Sequence, residues 1–520
     1  MVVGPIILAY FTAWSIYQRS YIVTDIPGDK ITHINYAFAN IGFDGRITLG
    51  DSWADIEKTF NGDRWDQPLR GNFNQLIKLK EKYSHLRTLI SVGGWTWSGK
   101  FSDVALTDQS RSTFAASCVE FINKYGFDGV NLDWEYPVSG GLPGNTRRPE
   151  DKQNYVLLLK EIRRHLDAVP NKKYLLTVAT GAGTERIDDM DLPGMSAYLD
   201  WFNVMTYDFH DQFLGSWESK TGHNAPLYKN NNEETSDIPP SFIKSKYNCH
   251  ESIQAYIRAG VSTKKILMGL PLYGRGWQGV KNAALNGFSQ TASNQLPSGT
   301  WKNGVYDYDH LKKSFISSNK HYWDNQSKVP FIFNSSTALW ISYDNLESTT
   351  LKTIYIKQNN LAGAFFWELS SDRQAELIGA TFNLLNNNIK PPVTTNPSST
   401  SYPNNKVYPW KINIQYYIEQ RVTYKKNIYR CIKQHKSTGK NKPNSKNSFW
   451  QLETSSTFKT ITTTTTQSLN ENNISEWKPY ISYLVNNQVI YQGKKYRCRQ
   501  AHTSLSDWIP PGLPALWLEI

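Results

Sequence analysis

Cysteine is scarce in this chain: Cys118, Cys249, Cys431 and Cys498 are spread over 520 residues. So few and so scattered, they exclude a disulfide scaffold, and Cys118, within the helical stretch FAASCVEFI, reads as a small core residue. Long apolar runs are missing too. No stretch of 18 or more apolar residues occurs, so no membrane span is expected. The N-terminal MVVGPIILAYFTAW has no basic segment ahead of its apolar run, and that run leads into an expected strand. No secretory leader is read there, and the chain is taken as a mature or truncated form. Glycine loops of the phosphate-cradling type are absent, and no basic helix accompanies the net charge of +12. That charge sits almost wholly in residues 391–520, where 17 Lys and Arg face 6 Asp and Glu, which leaves about +1 for the first 390 residues. A basic tail can hold a protein on an acidic surface. Without a recognition motif it reads equally well as Lys and Asn bias, and no nucleic-acid partner is expected. What the chain has in quantity is aromatic surface: 18 Trp, 30 Tyr and 22 Phe. Flat rings build cores and also stack on the apolar faces of sugars, and composition alone does not separate the two.

Two stretches are unable to build a core. Residues 391–405 (PPVTTNPSSTSYPNN) and 454–473 (including ITTTTTQS) read as linkers. They divide the chain into a large unit, 1–390, and two small ones, 406–453 and 474–520. Sequons beginning at Asn325, Asn334 and Asn473 are compatible with secretion. The small units repeat each other. An ungapped offset of 67 residues pairs Trp410 with Trp477, Tyr416 with Tyr483, Val422 with Val489 and Tyr424 with Tyr491. The same offset superposes Tyr429-Arg430-Cys431 on Tyr496-Arg497-Cys498, then His435, Pro443 and Trp450 on His502, Pro510 and Trp517. Each copy is expected to be a small twisted sheet whose aromatics serve both inside and outside. The Cys-x-x-x-His pair in each copy supplies two of the four ligands that structural zinc needs, so no metal is expected.

Along 1–390, short apolar runs alternate with helical patterns. The runs are 6–14, 31–38, 86–95, 129–135, 174–181, 198–208, 265–274 and 361–370. Helices are predicted at 72–84, 110–125, 152–168, 250–260, 348–359 and 372–386. Eight strands alternating with helices predict an α/β fold, a (β/α)8 barrel. The spacing breaks once, over about 278–350. That segment is too long to be structureless, and is expected to be an α+β insertion between strands 7 and 8.

In such a barrel the active site lies at the C-terminal ends of the strands. Reading those ends gives Tyr10, Phe38, Ser91-Val92-Gly93-Gly94-Trp95, Asp133-Trp134-Glu135 followed by Tyr136, Met205-Thr206-Tyr207-Asp208, Tyr273 with Arg275, and Trp367. Acids, hydroxyls, one Arg and many aromatics converge, as a sugar-cleaving groove requires. Side chains alternate along a strand, so Asn131, Asp133 and Glu135 share one face, about 6.6–6.8 Å apart per pair along the backbone. Two carboxylates at one mouth repel and tend to hold a proton, which raises one pKa toward the range of a general acid. Glu135, nearest the mouth, is the natural donor to a glycosidic oxygen.

FDGVNLDWEYP (127–137) resembles the signature of family 18 glycoside hydrolases, the chitinase family, whose pattern is Asp-x-x-Asp-x-Asp-x-Glu. Ser91-x-Gly93-Gly94, Met205-x-Tyr207-Asp208 and Trp367 match its other motifs in order, as do GSWESKTGHNAPLY (215–228) and LPLYGRGW (270–277). The resemblance implies retaining hydrolysis of β-1,4 bonds in N-acetylglucosamine polymers, without a cofactor. The substrate's own N-acetyl oxygen would attack the anomeric carbon. It further implies that Glu135 is the general acid and base and that Asp133 holds the acetamido N–H. Tyr207 would bind the acetamido oxygen, Asp208 would help bend the sugar, and Arg275 would contact substrate or Asp208. Trp367 is expected to floor the cleavage subsite, with Tyr10, Phe38 and Trp95 lining the groove and Tyr136, Met205 and Tyr273 beside it. Asn131 stands where the family's middle Asp is expected, which predicts an altered pH profile. Residues 491–517 resemble family 5/12 carbohydrate-binding modules, a chitin-binding type, with Trp477, Tyr491, Tyr496, Trp508 and Trp517 as candidate contacts. The match is fainter in the first copy, where Asn441 replaces Trp508.

Three other readings differ in testable ways. A chitin-binding lectin on the same barrel would be marked by loss of the acid, and Glu135 is present. An endo-β-N-acetylglucosaminidase acting on glycoproteins fits the tail and the insertion less well. A DNA-binding tail would show a salt-sensitive shift. Chitin and its oligomers are the expected partners, for a monomer that is secreted or held at a cell wall.

Overall fold

The computed structural model describes residues 4–386 except 65, 211–219, 234–245, 282, 294 and 317–319, and in the tail the strands named below, the short strands Gln415–Tyr416, His435–Lys436, Ser482–Tyr483 and His502–Thr503, and a few other residues. Both linkers, the sequon at Asn473, Asn441 and Trp508 lie outside the described residues. Eight parallel strands close on themselves. In chain order they are β1 (Ile6–Thr12), β2 (His33–Ile41), β3 (Arg87–Gly93), β4 (Gly129–Asp133), β5 (Leu175–Gly181), β6 (Trp201–Met205), β7 (Ile266–Pro271) and, after the insertion, Gly363–Trp367. Closure comes from β1, which pairs with β2 on one side and with Gly363–Trp367 on the other. The predicted barrel is therefore present.

Helices cover the barrel where the 3.6-residue pattern placed them: α1 (Gly71–Lys82), α2 (Asp108–Tyr125), α3 (Asp151–Asp167), α4 (Cys249–Arg258), α5 (Leu346–Gln358) and α6 (Glu376–Asn386). Both ends of α2 follow capping chemistry. The Thr107 hydroxyl accepts the Ser110 N–H at the start of α2, and Gly126, at φ +76°, ends it by donating its N–H to the Ile122 carbonyl. Cys118 is fully buried on that helix, as its apolar neighbours predicted.

The insertion begins earlier than the sequence suggested. The seventh strand stops at Pro271, and the chain re-forms as β8 (Tyr273–Gln278), which belongs to a separate antiparallel sheet. That sheet continues with β9 (Val305–Asp307), β10 (His321–Asp324), β11 (Val329–Asn334) and β12 (Leu339–Ser342), in the order β9-β8-β12-β11-β10. Both faces carry apolar clusters: Trp277, Phe331, Phe333 and Trp340 in one, Tyr306, Ile332 and Ile341 in the other. With apolar clusters on both faces, and strands as mixed as YGRGWQ and HYWD, this sheet shows no clean alternation, which hides its strand boundaries.

The tail copies share one strand plan. Val407–Pro409, Arg421–Tyr424, Asn427–Cys431 and Trp450–Glu453 form a four-stranded sheet, as do Ser475–Glu476, Gln488–Tyr491, Lys494–Cys498 and Trp517–Glu519. Even the register repeats, with Val422 opposite Tyr429 and Val489 opposite Tyr496. Three of the aromatics expected to contact polymer are buried instead: Trp477 at 9% exposure, Tyr496 at 3% and Trp517 at 2%. A sheet this small has no other source of core, so its largest rings are used inside. Tyr491 is half-buried and meets Trp477 edge-on at 5.4 Å.

Candidate active site

A cleft of about 820 Å³ opens at the C-terminal mouth of the barrel. Of the residues expected from the sequence, it is lined by Phe38, Trp95, Asp133, Glu135, Tyr136, Met205, Tyr207, Asp208, Arg275 and Trp367. Tyr10 and Tyr273 do not line it. Tyr10 is 1% exposed and packs under Trp367 at 5.1 Å between ring centroids. Tyr273 is 6% exposed and donates its hydroxyl to Asp208 Oδ1 at 2.5 Å. Each supports a residue that faces the cleft.

The acids are placed by β4 and the turn after it. Strand pairing ends at Asp133, so Glu135 lies beyond the ladder rather than on it. Its main chain is held from both sides: its N–H donates to Ser98 Oγ at 2.8 Å, and its carbonyl accepts from Asn145 Nδ2 at 3.0 Å. Ser98 in turn donates to the Gly94 and Asp133 carbonyls. Two glycines, the last residue of β3 and the one after it, make room for this. A Cβ on Gly93, at φ +101°, would sit 2.5 Å from the Asp133 carbonyl, and one on Gly94, at φ +75°, would enter the Phe38 ring at 2.6 Å.

Asp133 is 3% exposed, and its Oδ1 is buried with no hydrogen-bond partner among the described residues. Burial pushes its carboxyl well above the usual carboxylate range. Glu135 is also raised, by burial first and then by the negative charges of Asp133 and Asp208. A proton is thus kept at the mouth near neutral pH, where a general acid needs it. Asp208 accepts from Tyr273 and from Arg275 at 2.9 Å (Nε) and 2.7 Å (Nη2). Burial raises the Tyr207 phenol, which therefore remains a neutral hydrogen-bond donor. Trp367 and Phe38 stack at 5.8 Å and 22° to form a flat apolar floor.

Asn131 is fully buried in the polar barrel interior, and four hydrogen bonds use its amide completely. Its Nδ2 donates to Tyr10 at 3.1 Å and Ser91 at 2.8 Å, while its Oδ1 accepts from Thr177 at 2.8 Å and Asn203 at 3.0 Å. A carboxylate could occupy the same place, because all four partners can donate. It would also place a negative charge under Asp133 and favour protonated acids there. Asn131→Asp is therefore expected to shift the pH–rate profile to higher pH; an unchanged curve contradicts this account of the amide.

The cleft also uses residues no motif marked: Trp14, Trp97, Glu185, Arg186, Tyr247 and Lys302. Trp14 and Trp97 stand beside strand ends already singled out, so the aromatic count around those ends was the available signal. The other four come from loops and short helical turns whose local pattern says nothing of where they point.

The model of glycosyl hydrolases family 18 matches residues 6–372, and that of carbohydrate-binding module family 5/12 matches residues 476–518. The chain is 46% identical over 406 residues to Chitinase A1 of Niallia circulans, covering 71% of this chain and 57% of that protein. It thus spans little more than half the length of that relative. It is 35% identical to Endochitinase 1 of Metarhizium robertsii, over 74% of this chain and 85% of that one. Among solved structures it resembles Chitinase ChiA74 from Bacillus thuringiensis, with a TM-score of 0.67, 36% identity, and coverage of 75% of this chain and 71% of that one.

Proposed function

Because the chain belongs to glycosyl hydrolases family 18, we propose that it is a chitinase, cleaving β-1,4 bonds of N-acetylglucosamine polymers with retention through the substrate's own acetamide. The observation that carries this reading is the buried Asp133 carboxyl, whose Oδ1 has no hydrogen-bond partner among the described residues, in the same cleft as a Glu135 whose proton is held. A lone buried carboxylate oxygen is costly unless a donor arrives with the substrate, and an acetamido N–H is such a donor. Asp133 orients the acetamide so that its oxygen meets the anomeric carbon, and stabilises the positive charge that forms on the resulting ring. Tyr207 donates to the acetamido oxygen. Glu135 protonates the leaving oxygen and then takes a proton from the incoming water. Asp208, fixed by Tyr273 and Arg275, holds the sugar in its bent form over Trp367. An internal nucleophile so placed has an effective molarity of roughly 10⁵–10⁸ M, which makes positioning the enzyme's main task. Release of soluble oligomers from colloidal chitin tests the reading. Activity confined to a glycoprotein substrate would favour the endo-β-N-acetylglucosaminidase alternative.

The module at 476–518 supports adsorption to insoluble polymer. With Trp477, Tyr496 and Trp517 buried, contact falls to Tyr491 and Trp508. Trp508→Ala is expected to weaken adsorption to colloidal chitin about threefold to tenfold while leaving turnover of soluble oligomers unchanged; equal adsorption would remove Trp508 from the binding face. The first copy, 406–453, is proposed as a weaker module or spacer. Export to a secreted or wall-associated location is proposed from the polymeric substrate, and the working unit is proposed to be a monomer. Among the described residues no helix is long and apolar enough to cross a membrane.

A further inference from the structure

Asp208 has a left-handed backbone, φ +57°, a region uncommon for residues with a side chain and one that a hydrogen bond helps to hold. That hydrogen bond comes from Asn224, whose Oδ1 accepts the Asp208 N–H at 3.0 Å. The Asn224 carbonyl accepts the next N–H, that of Phe209, at 3.1 Å. The other half of the same amide, Nδ2, donates to the carbonyl of Tyr273 at 3.3 Å. Asn224 thus bridges Asp208 to the residue whose hydroxyl binds the Asp208 carboxylate. These contacts join the loop after β6 to β8 of the insertion, so the two sides of the Asp208 site are set by one side chain.

The anchor of Asn224 lies deeper in the insertion. Its N–H donates to Ser342 Oγ at 3.0 Å, and Ser342 stands opposite Arg275 in the β12–β8 register. His223 Nδ1 lies 3.3 Å from that hydroxyl, and His223 Nε2 lies 3.0 Å from Asp324 Oδ2, which also accepts from Asn230. His223 stacks on Phe288 at 4.7 Å. All of this is out of water: Asn224 and Ser342 are 1% exposed and His223 2%. The Asn224 N–H donates to Ser342 Oγ, and the His223 ring bridges that hydroxyl to the Asp324 carboxylate. Burial alone would raise Asp324, but His223, the Ser327 N–H and Asn230 outweigh it and hold the carboxyl well below its ordinary range. The acceptor at the end of the chain therefore stays ionised.

We infer that Asn224 is a positioning residue for the proposed reaction, fixing the Asp208 backbone and Tyr273 in one geometry, with Ser342, His223 and Asp324 as its anchor in the insertion. The inference rests on the reading of Asp208 as the group that holds the bent sugar. Asn224 has no direct contact with the substrate in this role; it acts through Asp208. It also gives the insertion a task, because the sheet that carries Tyr273 and Arg275 is tied to the barrel loop at the point where Asp208 must be held.

A double-mutant cycle on the full chain with a soluble N-acetylglucosamine oligomer tests this. Asn224→Ala is expected to lower kcat about 10- to 100-fold with KM changed less than about threefold. Combined with Asp208→Asn, it should cost no more than Asp208→Asn alone, within about twofold. If the two losses multiply instead, Asn224 is only a stability residue and the inference is overturned. If Asp208→Asn itself leaves kcat unchanged, the reading of Asp208 fails first and the inference falls with it. Should Asn224→Ala not fold, Ser342→Ala removes the anchor from the far side, and its loss must likewise vanish in the Asp208→Asn background.

Discussion

Glu135→Gln is expected to reduce release of soluble oligomers from colloidal chitin by at least about 10³-fold, equivalent to about 4 kcal/mol of barrier. Glutamine keeps the size of the side chain and leaves the main-chain bonds to Ser98 and Asn145 intact. What it removes is the proton that burial and the charges of Asp133 and Asp208 hold at the mouth. The leaving oxygen would then depart as an alkoxide, and no group would activate the incoming water. Binding should survive, because the floor of Trp367 and Phe38 is untouched. A variant that retains more than about a tenth of the activity would mean that another acid does the work, and Asp208 would be the first to examine.

Asp133→Asn is expected to cost about 10²–10³-fold in kcat and to move the alkaline limb of the pH–rate profile to lower pH. The sign follows from the raised Glu135 pKa: removing a neighbouring negative charge makes ionisation of Glu135 easier, so its pKa falls and the protonated acid is lost earlier as pH rises. The rate loss has a separate origin. The buried Asp133 carboxylate would hold the acetamido N–H and balance the charge of the ring intermediate, and an amide does neither as well. Loss of rate without a shift of the alkaline limb would contradict the electrostatic link between the two acids. Kinetics from about pH 4 to 9 on a soluble oligomer read both effects in one series.

Much of this site was legible because the barrel turns sequence order into spatial order. Alternation along β4 placed Asn131, Asp133 and Glu135 on one side, and strand ends from β2, β3, β6 and the strand Gly363–Trp367 brought Phe38, Trp95, Tyr207 and Trp367 to the same mouth. Irregular geometry marks the limits of that reading. Glu135 was expected on the strand and lies past it, and β7 was expected to carry Tyr273, which opens the insertion sheet instead. Asn224, Ser98 and Asn145 act through hydrogen bonds made from loops and short turns, for which periodicity offers no signal. The tail's aromatics were read as serving both inside and outside, and among the candidate contacts Trp477, Tyr496 and Trp517 are taken up by the core of so small a sheet.

In the proposed reaction the substrate's acetamide is the nucleophile, with Glu135 as its acid partner. The most direct measurement follows an N-acetylglucosamine hexamer and its fully de-N-acetylated counterpart side by side, with anomeric proton resonances recorded in the first minutes of reaction. The account predicts cleavage of the acetylated chain with the β-anomer appearing first, and no cleavage of the deacetylated one. Comparable cleavage of both, or initial release of the α-anomer, would contradict it.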